Sequence, residues 1–375
     1  MVKKNLIIFG TRPEAIKMAP LISAFAKDQD RFETKVCVTA QHREMLDQVL
    51  EFFEIKPDYD LNLMKPGQHL YGLTAAIIES LKPVLEDFKP DFVFVHGDTT
   101  TTMATSIAAF YARAKVCHVE AGLRTHNKWA PFPEEMNRKI TGCLADYHFA
   151  PTETSFDNLI KENTKKEQII ITGNTVIDAL QFSTQKVSEG QFSDLEIEQL
   201  KKTLNFEKKL ILVTGHRREN HGQGFLNICD ALKTLAKEHE DIDIIYPVHL
   251  NPKVQKPVYE ILGDQPNIHL IDPLGYPAFV WLMNQSYLII TDSGGVQEEA
   301  PSLGKPVLVM RETTERPEAV EAGTVVMVGT SPEKIISEAN ELIRNPDRYK
   351  EMSARHNPYG DGLASKRILD FISAI

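Results

Sequence analysis

Short apolar runs, rich in Val, Ile, Leu and Phe, alternate with helix-length amphipathic segments along nearly the whole chain. The runs are Leu6–Phe9, Lys35–Thr39, Phe92–His96, Val116–Glu120, Tyr147–Ala150 and Ile169–Thr172, then Leu210–Thr214, Ile242–Pro247, Ile268–Ile271, Leu288–Thr291, Val307–Met310 and Val325–Val328. Strands covered on both faces read as such continuous runs, and strand–helix alternation argues a parallel sheet with helices packed over it. The pattern breaks once, near 183–209, where STQKVSEGQFSDLEIEQLKKTLNFEKK is polar and charged. With 375 residues the chain is long for a single core. The reading is therefore α/β, with two doubly wound domains at about 1–175 and 205–360 and a hinge between them. The last segment, Ala364–Ile375, is an amphipathic helix that could pack on either domain.

Ligands of open parallel sheets bind beyond the carboxyl ends of the strands, so a candidate residue should sit just after a strand. Totals narrow the ligand class. A formal net charge of −10 argues against a broad nucleic-acid-binding surface, while leaving room for a local basic pocket. No apolar stretch is long enough to span a membrane, and MVKKNLIIFG reads as a first strand rather than a secretion signal. Cys37, Cys117, Cys143 and Cys229 form no C-x-x-C pair and read as buried free thiols of a reducing cytosol.

The first run continues into GTRPEAIKMAP, where Gly10 permits a tight turn and Pro13 suits a helix start. Arg12 and Lys17 flank that start and suggest an anionic ligand, or an Arg that caps its own loop. No G-x-G-x-x-G follows, so a dinucleotide fingerprint is absent. FVHGDTTTT offers His96 and Asp98, and VCHVEAGLRT offers His118 and Glu120. Such pairs could be metal ligands, or carboxylates for acid–base work oriented by histidines; Asp98 could also be a plain helix cap. In APFPEEMNRK, Glu134 and Glu135 fit either a functional pair or a negatively charged first helical turn.

In the second half, TGHRREN places a His and two Args after a strand, as phosphate ligands or a solvated cluster. His249 follows another strand in YPVHLNP. Phe279 and Trp281 fall at a helix start, where base stacking or core packing fits, and core packing suits Trp281 better. TDSGGVQEEAPSLGKPVLV puts the bare amides of Ser293, Gly294 and Gly295 at a helix N-terminus, which favours phosphate. Glu298 and Glu299 follow at once. A nucleoside diphosphate reconciles the two: phosphates take the amides and cations, among them nearby Arg316, and Glu299 accepts from the ribose diol.

FGTRPEAIKMAP, TAQHREMLDQ, VHGDTTTT, HVEAGLRT, TGNTVIDAL, TGHRREN, TDSGGVQEEAPSLGKPVLVMRETTERPE and HNPYGDG together closely resemble the non-hydrolysing UDP-N-acetylglucosamine 2-epimerases, in order and over essentially the whole chain. The resemblance implies two Rossmann-like domains facing a cleft, as in GT-B glycosyltransferases, with the C-terminal helix crossing back. The domains become 1–175 plus 361–375, bearing catalytic carboxylates, and 176–360, binding UDP. It implies interconversion of UDP-GlcNAc and UDP-ManNAc without metal or cofactor, by a cytoplasmic homodimer. The implied catalytic residues are Asp98, Glu120, Glu134 and His216. The implied UDP-sugar ligands are Arg12, Lys17, Phe279, Ser293, Gly294, Gly295, Glu299 and Arg316. Two departures stand out. Leu274 replaces a Gln found in some relatives after Asp-Pro, and Glu44 replaces the second Gln of a Gln-His-Arg-Gln activator stretch.

The C2–H of an N-acetylhexosamine is weakly acidic, so direct removal by a carboxylate would be slow. Breaking the C1–O bond to UDP first puts positive charge at C1 and acidifies that proton. Two faces of C2 must then be served, which requires at least two acid–base groups. A retaining GT-B glycosyltransferase, a hydrolysing epimerase, a nucleotide-sugar sensor and a metal-dependent hydrolase using His96, Asp98, His118 and Glu120 are the competing readings.

Overall fold

The computed structural model describes residues 2–39, 43–63, 67–190 and 192–375. It contains two parallel sheets. The strands are β1 (Lys3–Phe9), β2 (Phe32–Val38), β3 (Tyr59–Asp60), β4 (Phe92–His96), β5 (Lys115–Val119), β6 (Tyr147–Ala150) and β7 (Ile169–Ile171) in the first sheet, and β8 (Lys209–Thr214), β9 (Ile242–Pro247), β10 (Ile268–Ile271), β11 (Leu288–Thr291), β12 (Val307–Val309) and β13 (Val325–Met327) in the second. The first runs in the order β3-β2-β1-β4-β5-β6-β7 and the second β10-β9-β8-β11-β12-β13. In both, the order reverses direction beside the first strand of the sheet, the switch point at which such folds bind ligands. All the apolar runs of the sequence are strands; only the two-residue β3, in polar surroundings, carries no run.

The chain divides into two compact units, Met1–Phe182 with Tyr359–Ile375, and Ser183–Pro358. The first division falls inside the helix Thr175–Ser188. The polar stretch at 183–209 holds the end of that helix and the helix Leu195–Thr203, N-capped by Asp194. Each sheet is buried on both faces, as the fully covered β4, β11 and β12 show. One core gathers Leu6, Ile8, Val93 and Val95 under Ile77 and Leu81. The other gathers Ile211, Val213 and Ile290 with Phe225, Leu232 and Tyr246.

The C-terminal helix Ala364–Ala374 belongs to the first unit, where it packs on the helix Arg12–Ala26. Buried Asp178 accepts from the backbone N–H of Ser365 at 2.8 Å and of Ala364 at 3.2 Å, and so fixes the start of that helix. Lys3 Nζ donates to the carbonyls of Ile372 and Ser373 at its end, and Phe371 sits edge-on to Tyr147 and Phe149. Among the described residues, no helix is long and apolar enough to cross a membrane. All four cysteines are free, but only Cys37, Cys117 and Cys229 are buried; Cys143 is exposed on the helix Glu134–Leu144.

Candidate active site

In the first unit, three strand-end turns are tied together by charge. Thr11 and Glu14 form a reciprocal capping box that starts the helix Arg12–Ala26. Glu14 Oε2 accepts from the N–H groups of Gly10 and Thr11 at 3.0 and 2.8 Å, while Oε1 accepts from the hydroxyls of Thr99 and Thr102. The turn after β1, which carries Arg12, is thereby fastened to the turn after β4, which carries Asp98. Thr99, not Asp98, caps the helix Thr100–Tyr111. Asp98 is instead held by Arg138 Nη2 at 2.6 Å, and its backbone carbonyl accepts from Asn137 at 2.9 Å.

Glu120 directly follows β5, with φ of +60°. An L-residue in this left-handed region costs on the order of 1–2 kcal/mol, and it turns the carboxylate off the strand line. Its Oε2 pairs with Lys17 Nζ and accepts from Asn174 Nδ2 at 2.9 Å, with His96 Nε2 3.6 Å away. Burial alone would raise the carboxyl's proton affinity. The Lys17 ammonium and then His96 outweigh burial and hold its pKa well below the usual carboxylate value. Lys17, expected as a diphosphate ligand, is thus engaged with an acid of its own unit. His118, on the same strand, spends Nε2 on the carbonyl of Gly97 at 2.7 Å. Burial pushes its pKa down to about 3, so the ring is neutral and props the Gly97–Asp98 turn.

Glu134 and Glu135 open one helix but differ in environment. Glu135 is fully buried; it accepts from the N–H groups of Thr125 and His126 and from Arg138 Nη1. It is a fixed counter-charge that aims Arg138 at Asp98. Glu134 is half-buried, and its side chain has no hydrogen bond or ion pair among the described residues. Of the pair, it is the one open to a ligand.

In the second unit, Ser293 precedes the helix Gly294–Glu299. A Cβ on Gly294 would come within 2.8 Å of the Arg316 guanidinium, so only glycine lets that cation lie against the turn. Arg316 in turn pairs with Glu298 at 2.9 Å and Glu315 at 3.0 Å. Glu298 is therefore the anchor of the cation, and its carbonyl accepts from Asn357 at 2.7 Å. Glu299 is buried at the end of the same helix. Phe279 stands half-buried in the first turn of the helix Tyr276–Gln285, which Leu274 and Gly275 precede. Trp281 is half-buried against Phe206 and lines a cavity of about 270 Å³ with Val187 and Lys201.

Fully buried Asp292, at the end of β11, accepts from the backbone N–H groups of His216 at 2.9 Å and Arg217 at 2.8 Å. This fixes the turn after β8. The His216 side chain remains 44% exposed, with Nδ1 3.7 Å from Asp292 Oδ1. It stacks on His249 with ring centroids 5.2 Å apart. Burial lowers the His216 pKa against the opposing pull of Asp292, with His249 adding to the lowering.

The family model of UDP-N-acetylglucosamine 2-epimerase matches residues 24–373. A relative of that name from Escherichia coli (strain K12) is 61% identical over 367 residues, covering 98% of this chain and 97% of its own. The chain belongs to the UDP-N-acetylglucosamine 2-epimerase family. Among solved structures, that of the Neisseria meningitidis UDP-GlcNAc 2-epimerase bound to UDP-GlcNAc matches with a TM-score of 0.90 at 53% identity, over 99% of this chain and 100% of that one. The Methanocaldococcus jannaschii UDP-GlcNAc 2-epimerase, in complex with UDP-GlcNAc and UDP, matches with a TM-score of 0.81 at 32% identity, over 99% and 100%. These structural neighbours share the two-domain, GT-B-like α/β architecture of the epimerase family.

Four residues that the sequence reading passed over shape this member of the epimerase family: Asn137, Arg138, Asn174 and Asp292. Asp292 had a signal, since an Asp closing a buried strand is rarely idle. Arg138 lay in the quoted Asn-Arg pair after Glu135, three residues on along one helix face. Asn174 lay in TGNTVIDAL, but its pairing had no signal, because its partner Glu120 comes from a distant element. The activator stretch Gln41-His42-Arg43-Glu44 lies outside the residues whose side chains are described.

Proposed function

We propose that the protein interconverts UDP-GlcNAc and UDP-ManNAc by eliminating UDP and adding it back. In the forward half, the C1–O bond breaks and its electron pair leaves with the diphosphate. A carboxylate takes the C2 proton, and the C–H pair becomes the C1=C2 bond of 2-acetamidoglucal. In the return half, a second acid delivers a proton to the other face of C2 while the diphosphate oxygen rejoins C1.

The observation that carries this reading is Glu120: a strand-end carboxylate kept ionised by Lys17, with Asp98 on the neighbouring strand end. Asp98, Glu120 and the open Glu134 are the candidates for C2 proton exchange. On the leaving-group side, the Ser293–Gly295 amides, Arg316, Arg12 and His216 stabilise the departing diphosphate, where charge grows during the reaction. Lys17 is the remaining proposed diphosphate ligand, Glu299 takes the ribose diol, and Phe279 lies by the base. On this reading the protein works in the cytoplasm as a homodimer and needs no metal or organic cofactor. Its domains are 1–175 with 361–375, for proton exchange, and 176–360, for UDP.

Incubation of the purified protein with UDP-GlcNAc in D₂O, followed by proton NMR, tests the reading. UDP-ManNAc carrying deuterium at C2 is the expected product. Turnover without deuterium would overturn the elimination route. Release of free sugar, or transfer only when an acceptor is added, would identify a hydrolase or a glycosyltransferase instead.

A further inference from the structure

Two motifs of the sequence, TGNTVIDAL and HNPYGDG, find no role in binding UDP or in proton exchange. They meet in the first unit. Gly173, at φ +85°, faces Gly360, at φ +133°, so closely that a Cβ on Gly173 would lie 3.3 Å from Gly360 Cα. That approach lets the N–H of Asn174 donate to the Tyr359 carbonyl at 2.7 Å, with both residues buried. The Asn174 side chain is fixed as well. Its Oδ1 accepts from the N–H of Val176 at 3.0 Å, capping the helix Thr175–Ser188. With the carbonyl oxygen so committed, the amide nitrogen must be the atom facing Glu120 Oε2, 2.9 Å away.

We propose that Asn174, held by the Tyr359–Gly360 segment, is a positioning residue that orients the Glu120 carboxylate and favours its ionised form. The inference rests on the reading of Glu120 as a proton-exchange group. A donor aimed at a carboxylate stabilises the anion over the acid. Among the described residues, the groups facing Glu120 are Lys17 from the helix Arg12–Ala26, His96 from the end of β4, and Asn174 itself. Lys17 lies on a long, rotatable stem, whereas Asn174 is pinned at three atoms and fixes where the carboxylate points. The crossing of the chain back into the first unit at Tyr359 thereby acquires a chemical role as well as a structural one.

Two substitutions separate that role from helix capping. Asn174→Asp keeps an oxygen for the Val176 N–H, since Asp caps as well as Asn, but sets an acceptor against Glu120. Asn174→Ser keeps a capping hydroxyl and deletes the donor without adding charge. The expected result is a fall in kcat of about ten- to a hundredfold, the scale of one hydrogen bond to a charged group. KM should stay within about threefold and the acid limb of kcat/KM should move to higher pH, more for Asp than for Ser. Melting temperatures report the capping role separately, and Asn174→Ser carries the test if Asn174→Asp does not fold. A wild-type acid limb and kcat in a folded Asn174→Ser would overturn the inference. Glu120→Gln, assayed alongside, distinguishes the two levels: full turnover there defeats the proton-exchange reading, whereas loss of turnover there with normal Asn174 variants defeats only the positioning role.

Discussion

The two units use the same frame, a parallel sheet with candidate ligand turns beyond its strand ends, yet their strand-end acids have different partners. In the first unit, Glu120 and Asp98 meet cations from distant segments, Lys17 and Arg138, and Arg138 is shared with Glu135 of its own helix. In the second, Asp292 is satisfied by backbone N–H groups, and its charge shapes the turn that presents His216. Glu298 is satisfied by Arg316 and keeps that cation against Gly294. A carboxylate beside an ammonium has a tuned proton affinity, which suits proton exchange. A carboxylate buried among amides is a structural fixture, and the groups it leaves facing outward are donors and cations, which suit an anionic leaving group.

The comparison breaks if a first-unit acid proves to serve nucleotide binding. Glu120→Gln should lower kcat by about a hundredfold or more, the usual scale of general acid–base loss, while UDP affinity measured by calorimetry stays near wild type. Asp98→Asn and Glu134→Gln should follow the same pattern. A loss of UDP affinity matching the loss of turnover would merge the two roles. Gly294→Ala probes the other side and should act less strongly. The added methyl would meet the Arg316 guanidinium at 2.8 Å, so the cation must shift. We expect UDP binding to weaken about tenfold, equivalent to ~1.4 kcal/mol. The deuterium incorporated per product molecule should not change. An altered deuterium content would place this turn in the proton-exchange step.

How far the sequence led to this picture depends on the distance between partners. Strands were legible because a strand covered on both faces leaves a run of apolar residues at consecutive positions, as at Phe92–His96. Asp98 and Glu120 were legible because the strand-end rule turns sequence position into location. The pairings were not. Lys17 and Glu120 belong to different elements, 103 residues apart, and Asn174 and Glu120 lie 54 apart. No local periodicity records such a meeting. Glu134 and Glu135 show the limit at short range: adjacent residues on one helical turn, with side chains pointing in different directions, one buried and one half-open. The helix within 183–209 was not legible for a related reason, since a short helix with one buried face needs few apolar residues; Ile197 and Leu200 suffice there.

Lys17 gives the finest test, because it is proposed among the diphosphate ligands and is also paired with Glu120. The sign follows from the two opposing influences on that acid. Burial raises its pKa, and the Lys17 ammonium, with His96, brings it well below 4.5. A depressed folded-state pKa means that ionised Glu120 adds stability above pH 4.5, lost as pH falls through the folded value. Lys17→Met removes the largest lowering influence and leaves burial in place. The acid limb of kcat/KM should then rise by about one pH unit or more, each unit being ~1.4 kcal/mol, and the stability advantage of neutral over acidic solution should shrink. If Lys17 serves only the nucleotide and does not tune Glu120, KM for the sugar nucleotide should rise with the acid limb unmoved, and the carboxylate side of the comparison would lose its principal cation. A pH series of kcat/KM, with thermal unfolding followed from pH 7 down through the folded value of Glu120, separates the two outcomes.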